Sequence, residues 1–176
     1  MRGFFGIGVE GISKAGNLGN LFRSAHAFGA SFVFTVAPDP RADFHADTSA
    51  SFKNLPFYTF AGLQDMRLPK ACELVGVELI EDAVDLPSFH HPRCAAYVLG
   101  PERGSLSPAM LARCDHVVRI PTGFCINVAV AGAVVMYDRL RVGGRFARRP
   151  VSAIGPAEAP PDHVHGGPFS RRRDPL

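Results

Sequence analysis

Short apolar runs, each closed by glycine, proline or polar residues, decide what this chain can fold into. They fall at residues 4–9, 30–37, 56–60, 74–80, 95–99 and 116–120. The run at 30–37, Ala-Ser-Phe-Val-Phe-Thr-Val-Ala, is apolar almost throughout, the pattern of a strand covered on both faces. Helix-period segments separate the runs. Leu18, Leu21, Phe22, Ala25 and Phe28 recur every three or four residues over 17–28, and Gly29 closes that helix. Residues 107–114, Ser-Pro-Ala-Met-Leu-Ala-Arg-Cys, read as a capped helix with proline at its first position. Residues 127–141 form the longest predicted helix, so rich in Val and Ala that deep packing is expected. A helix is also expected over 63–71, with Pro69 opposing its last turn. Strands alternating with helices mean an α/β fold, a parallel sheet flanked by helices.

The 176 residues suffice for one domain with a real core. No apolar run approaches the roughly 20 residues needed to span a membrane. The opening residues 1–9 are too short and Gly-rich a stretch for a signal peptide and read as a first strand. Cys72, Cys94, Cys114 and Cys125 are scattered without a C-x-x-C pair, which suits free thiols in a reducing cytoplasm and argues against zinc. Residues 139–176 carry eight arginines against Glu158, Asp162 and Asp174, a net +5 that leaves 1–138 at −2 of the total +3. Prolines 150, 156, 160, 161, 168 and 175 punctuate the same stretch, so the domain is expected over 1–145 and a flexible Pro/Arg-rich tail over 146–176. Such a tail suits a polyanion, and equally a solubilising role.

Two motifs mislead. Gly6, Gly8 and Gly11 match the dinucleotide fingerprint G-x-G-x-x-G. They lie within or just after a strand, a loop follows Gly11, and no acidic residue stands at a second strand end about 20 residues on, so glycine in a crowded strand is the better reading. His90 and His91 are adjacent, without a carboxylate or Cys at ligand spacing, and read as an exposed loop pair rather than a metal site. No metal site is expected.

The remaining motifs concern strand ends. The run at 95–99 leads into Gly100-Pro-Glu-Arg-Gly104, and that at 116–120 into Ile120-Pro-Thr-Gly-Phe-Cys-Ile-Asn127, where a helix opens. Gly-rich turns after neighbouring strands build pockets from backbone, suited to flat polar small molecules. Upstream, Asn17-Leu-Gly-Asn-Leu-Phe-Arg23 places Asn and Gly near a helix start, where free N–H groups suit an anion, and Arg23 at the edge of the core.

Taken together and in this order, Asn17-x-Gly19-x-x-x-Arg23, Gly100-Pro-Glu-x-Gly104 and Ile120-Pro…Asn127 resemble the three motifs of the SpoU branch of the SPOUT RNA methyltransferases, over roughly residues 4–142. The resemblance is to the minimal single-domain members, among them tRNA ribose methyltransferases. One departure stands out: the loop after Ile120-Pro121 is short, and Cys125 occupies the place where the family usually has Ser.

The resemblance implies an enzyme transferring methyl from S-adenosyl-L-methionine to a ribose 2′-hydroxyl of RNA, tRNA ahead of rRNA, with no DNA partner and no membrane. It implies a C-terminal deep trefoil knot, whose crevice binds the cofactor, and a homodimer packed through the first and last helices. By position, Val77, Leu99, Gly100, Gly104, Ile120, Cys125, Ile126 and Asn127 would bind cofactor, and Asn17, Arg23 and Glu102 would be catalytic, Arg23 acting across the dimer. Arg41, Lys53, Arg103, Arg141 and Arg145 are candidates to track an RNA backbone, and the loop 38–54 to touch substrate. Alternatives from the same residues are a non-catalytic knotted RNA-binding protein, motivated by Cys125, and a base-methylating knotted enzyme.

Overall fold

The computed structural model describes residues 3–40, 55–144 and 146. By internal contacts the chain divides into Met1–Gly143 and Gly144–Leu176. Within the second unit the expected tail lies, apart from Phe146, outside the described residues, as does 41–54 of the expected loop.

The first unit is a parallel sheet with helices on both faces. Its strands are β1 (Phe4–Glu10), β2 (Phe32–Val36), β3 (Phe57–Phe60), β4 (Glu73–Val77), β5 (Val84–Asp85), β6 (Cys94–Leu99) and β7 (His116–Arg119). They lie in the order β3-β2-β1-β6-β4-β7-β5, every described pairing parallel. The helices are α1 (Ala15–Ala27), α2 (Pro108–Arg113) and α3 (Val128–Gly143).

The central strands are buried on both faces, and alternation sorts their side chains into two cores. Phe5, Ile7 and Val9 of β1 join Leu18, Leu21, Phe22 and Ala25 of α1 and Val128, Val135 and Met136 of α3. On the other face Phe32, Phe34 and Val36 of β2 join Ala96 and Val98 of β6, Met66, Leu106 and Met110. Gly6 and Gly8 explain how β1 fits: a Cβ on Gly6 would stand 2.2 Å from the Phe32 ring, and one on Gly8 2.3 Å from the Phe34 carbonyl oxygen. The glycines make room for phenylalanine, which disposes of the dinucleotide reading.

Local signals placed most elements. Gly29 takes a positive φ of 74° after α1, the left-handed turn that ends helices. The Ser107 hydroxyl accepts from the Met110 amide at 3.1 Å, with Pro108 in the first turn, as expected for α2.

Several expectations need correction. Over 63–71 there is one 3₁₀ turn, Leu63–Asp65, and no α-helix; Pro69 lacks the amide a helix would use, and Ala71 sits at φ 61°. The two-residue β5 was not foreseen, being too short to show periodicity. The helix at 127–141 is packed on one side only. Val130, Val134, Tyr137 and Leu140 are 52%, 36%, 52% and 44% exposed and form one stripe at helical spacing.

His91 is the clearest reversal. It is buried, not an exposed loop residue. One ring nitrogen, Nδ1, lies 2.7 Å from the Tyr97 hydroxyl and the other, Nε2, 3.0 Å from the Asp138 carboxylate. Burial, the largest influence, holds the imidazole below its ordinary pKa against the opposing pull of Asp138. The arrangement therefore assigns a neutral ring, Nε2–H donating to Asp138 and Nδ1 accepting from Tyr97. Arg139 donates to the Tyr97 oxygen at 3.1 Å and to the carbonyls of Pro92 at 2.6 Å and Arg93 at 2.9 Å. This buried network ties the C-terminal half of α3 to β6 and the segment before it.

Candidate functional site

The carboxyl ends of β4, β6 and β7 face the first turns of α1 and α3 across a crevice of about 320 Å³. Parallel α/β sheets bind ligands outside strand carboxyl ends, where loops diverge and backbone groups are free. The volume falls in the range of small-molecule sites. All eight predicted cofactor positions line it: Val77 at the end of β4, Leu99, Gly100 and Gly104 from β6 and its turn, Ile120 after β7, and Cys125, Ile126 and Asn127 ahead of α3. Gly104 has φ 140°, a conformation costly for residues with a Cβ.

Two of the three predicted catalytic residues meet in the same wall. The Glu102 carboxylate accepts from the Asn17 side-chain amide at 3.1 Å, the Lys14 backbone N–H at 3.2 Å, and the Ser13 hydroxyl at 3.2 Å. Asn17 Oδ1 accepts in turn from Asn127 Nδ2 at 3.1 Å. The Asn127 oxygen caps α3, accepting from the Ala129 amide at 2.9 Å. Residues 17, 102 and 127 thus form one chain of hydrogen bonds joining three distant segments. Burial raises the pKa of Glu102, but hydrogen bonds from its own amide, Asn17 and Ser13 outweigh it and hold the carboxyl below the ordinary carboxylate range. Glu102 is therefore an acceptor, unsuited to deliver a proton near neutral pH. It also occupies the anion position expected ahead of α1: the amides there are satisfied by the protein's own carboxylate.

Arg23 lies on the exposed face of α1 and does not line the crevice. Of the candidate RNA-tracking cations, Arg103 and Arg141 are exposed, while Arg41, Lys53 and Arg145 lie outside the described residues. Cys125 is exposed, whereas burial pushes the Cys72 and Cys114 thiols up to about 11. No cluster of metal-ligating side chains occurs among the described residues. No described helix is long and apolar enough to cross a membrane.

Sequence reasoning missed Lys14, Glu78, Leu79, Pro101, Thr122, Val128 and Ala131 in the crevice wall. Glu78, Pro101 and Val128 neighbour a predicted position and were findable by adjacency; the other four are two to four residues from one. Glu78 was findable as the residue one step beyond β4. Thr122, whose hydroxyl donates to the Phe124 carbonyl at 2.9 Å, braces the short loop after β7.

The sheet order and the crevice built from these three segments are the features that the comparisons with known proteins bear on. The model of the SpoU rRNA Methylase family matches residues 5–137, and the chain belongs to that family. Among its relatives, the 23S rRNA (guanosine-2'-O-)-methyltransferase RlmB of Nitrosomonas europaea is 29% identical over 145 residues, 76% of this chain and 54% of its own. The tRNA (guanosine(18)-2'-O)-methyltransferase of Escherichia coli is 26% identical over 140 residues, 76% of this chain and 61% of its own. The SpoU methyltransferase AviRb from Streptomyces viridochromogenes, solved in complex with AdoMet, superposes with a TM-score of 0.71 at 24% identity, covering 82% of this chain and 60% of that one. A structure described as "Structural insights into the 2-OH methylation of C/U34 on tRNA" gives a TM-score of 0.70 at 19% identity, covering 82% of this chain and 94% of that one. The chain spans a little over half the length of the first curated relatives it matches.

Proposed function

We propose that this protein is an S-adenosylmethionine-dependent RNA methyltransferase acting on a ribose 2′-hydroxyl. The carrying observation is the hydrogen-bonded chain of Glu102, Asn17 and Asn127 in the wall of a crevice that collects every position the family resemblance assigns to the cofactor. The residues fit the group. Val77, Leu99, Ile120 and Ile126 offer apolar surface to a flat base, and the turns at 100–104 and 122–127 offer backbone polar groups. Bound there, S-adenosylmethionine would supply an electrophilic methyl on a sulfonium that leaves as a neutral thioether.

The protein's own work is then positioning. Glu102 holds the start of α1 through Ser13, Lys14 and Asn17, and Asn127 links that start to α3, so the walls of the crevice keep one spacing. Asn17, in the mouth of this network, orients groups without taking a proton. The ribose hydroxyl must lose its proton near the transition state. A guanidinium stays charged below a pKa of about 12 and is a poor base. Arg23 therefore acts as a clamp on the phosphate beside the target ribose, orienting the hydroxyl, with that phosphate a candidate acceptor.

Arg23 stands away from the crevice of its own chain, which supports action on a second copy. The exposed apolar stripe Val130, Val134, Tyr137 and Leu140 supports a homodimer in which α3 is covered. The C-terminal trefoil knot belongs to the same proposal, supported by β6 lying between β1 and β4 with β7 beyond. We place the domain at 1–145, the 146–176 segment as an accessory tail, and the enzyme in the cytoplasm. For the substrate we take tRNA ahead of rRNA, a reading supported by the tRNA-directed relative.

Methyl transfer from labelled S-adenosylmethionine to unmodified tRNA and rRNA, followed by nucleoside analysis, tests the reading. A 2′-O-methylated nucleoside from one RNA class is expected. A methylated base would favour the base-modifying alternative, and RNA binding without cofactor binding would favour the non-catalytic one.

A further inference from the structure

Glu78 belongs to none of the three motifs, yet its side chain stands in the crevice wall one residue beyond β4. Its backbone is fixed, because its amide continues the sheet by donating to the Val118 carbonyl at 3.0 Å. Its carboxylate is fixed as well. Oε1 accepts from the Leu79 amide at 3.0 Å, and Oε2 from the Leu106 amide at 2.7 Å. A carboxylate has about four lone-pair sites, so two backbone donors set its orientation and leave capacity on both oxygens. Gly100 keeps the approach open: a Cβ there would lie 3.2 Å from Glu78 Oε2 and 3.0 Å from the Leu106 nitrogen.

Beside this preset pair of acceptors, the crevice wall is apolar at Val77, Leu99 and Ile120. A nucleoside presents that combination, a flat base with apolar faces and, next to it, a vicinal pair of hydroxyl donors. A bare cation would use the carboxylate but has no use for the apolar wall. We infer that Glu78 accepts from the ribose hydroxyls of the cofactor's adenosine and makes the crevice selective for a ribonucleoside; this rests on the cofactor assigned above. An acidic residue at a strand end holds ribose in dinucleotide folds for the same reason, here without their glycine fingerprint. Glu78 is a binding and specificity residue, separate from the network of Glu102, Asn17 and Asn127.

The test is calorimetric titration of the full chain with S-adenosylhomocysteine and with its 2′-deoxy and 3′-deoxy adenosyl analogues. Wild type should bind at least one deoxy analogue on the order of ten-fold or more weakly, as expected for a lost hydrogen bond to a charged acceptor. In Glu78→Ala the ratio between parent and analogue should fall to about one, whatever happens to absolute affinity. If Glu78→Ala does not fold, Glu78→Gln should shrink the ratio several-fold. A purely structural role would weaken all three ligands alike, so an unchanged ratio in the variant overturns the inference. Wild type binding all three equally overturns it while leaving the proposed function standing. No binding of S-adenosylhomocysteine by wild type overturns both.

Discussion

Replacing Asp138 by Asn is nearly isosteric and removes the charge that the His91 ring donates to. The bond, 3.0 Å long between side chains that are 0% and 12% exposed, can still be accepted by the Asn oxygen and survives as a neutral one. A hydrogen bond to a charged group is worth about 1.5–3 kcal/mol and a neutral one about 0.5–1.5 kcal/mol, so losing the charge costs the difference, about 1–1.5 kcal/mol. The second Asp138 oxygen lies 3.6 Å from Arg141, whose side chain is 55% exposed, and adds less than about 1 kcal/mol. A loss of about 1–2 kcal/mol at about pH 7.5 is therefore expected, a sizeable share of a typical domain's stability. The pH dependence sharpens the test. His91 is held below its ordinary value, so its contribution is complete above the unfolded pKa of about 6.5 and is lost as pH falls toward the folded pKa. Asp138 pulls that folded value upward; without it the value drops further, and the acid loss becomes deeper. Urea unfolding followed by circular dichroism at about pH 7.5 and about pH 5.5 gives both numbers. Other groups titrating in this window are common to both proteins and cancel in the difference. A cost at the lower pH smaller than that at the higher pH would refute the reasoning.

Four further outcomes are expected. Glu102→Gln should lose acceptance from the amides ahead of α1 and weaken cofactor affinity on the order of ten-fold; because the folded carboxyl is held low, its contribution in wild type is present above about pH 4.5 and fades as pH falls below that, which melting curves against pH will show. Arg23→Lys should keep cofactor affinity by titration while lowering turnover on RNA on the order of 100-fold, since an ammonium cannot clamp phosphate bidentately; full turnover would exclude the clamp. Val134→Glu with Tyr137→Glu should give a folded monomer by light scattering, whereas an unchanged mass would show that the α3 stripe is not the interface. Ellman's reagent should reach exposed Cys125 well before Cys72 and Cys114, and S-adenosylhomocysteine should slow that reaction; equal rates with and without ligand would place the cofactor elsewhere.

The local sequence determined more of this protein than is usual, and the reason is chemical. The strands are brief and nearly continuously apolar, so the run 30–37 marked β2, Phe32–Val36, without knowledge of its neighbours. The turn at 100–104 sets Gly100 against the Leu106 backbone and Gly104 at φ 140°, and such requirements are written in consecutive residues. Hence all eight residues expected to bind cofactor could be named in advance, and they fall in one crevice. What only the tertiary structure decided depends on residues far apart in sequence. Glu78 stands at a strand end in the crevice, but what fixes its carboxylate is Leu106, and what leaves it room is Gly100, arriving from the loop after β6. His91 looked exposed because the partners that compensate its burial in the loop before β6 are Asp138, 47 positions away, and Tyr97 on the sheet. The helix at 127–141 looked uniformly buried because Val and Ala report apolarity and not direction; packing against α1 buries one side and leaves Val130, Val134, Tyr137 and Leu140 in the open. Spacing along the chain encodes what a segment needs from its own backbone, whereas partners supplied by folding appear only once the sheet has set the strands side by side.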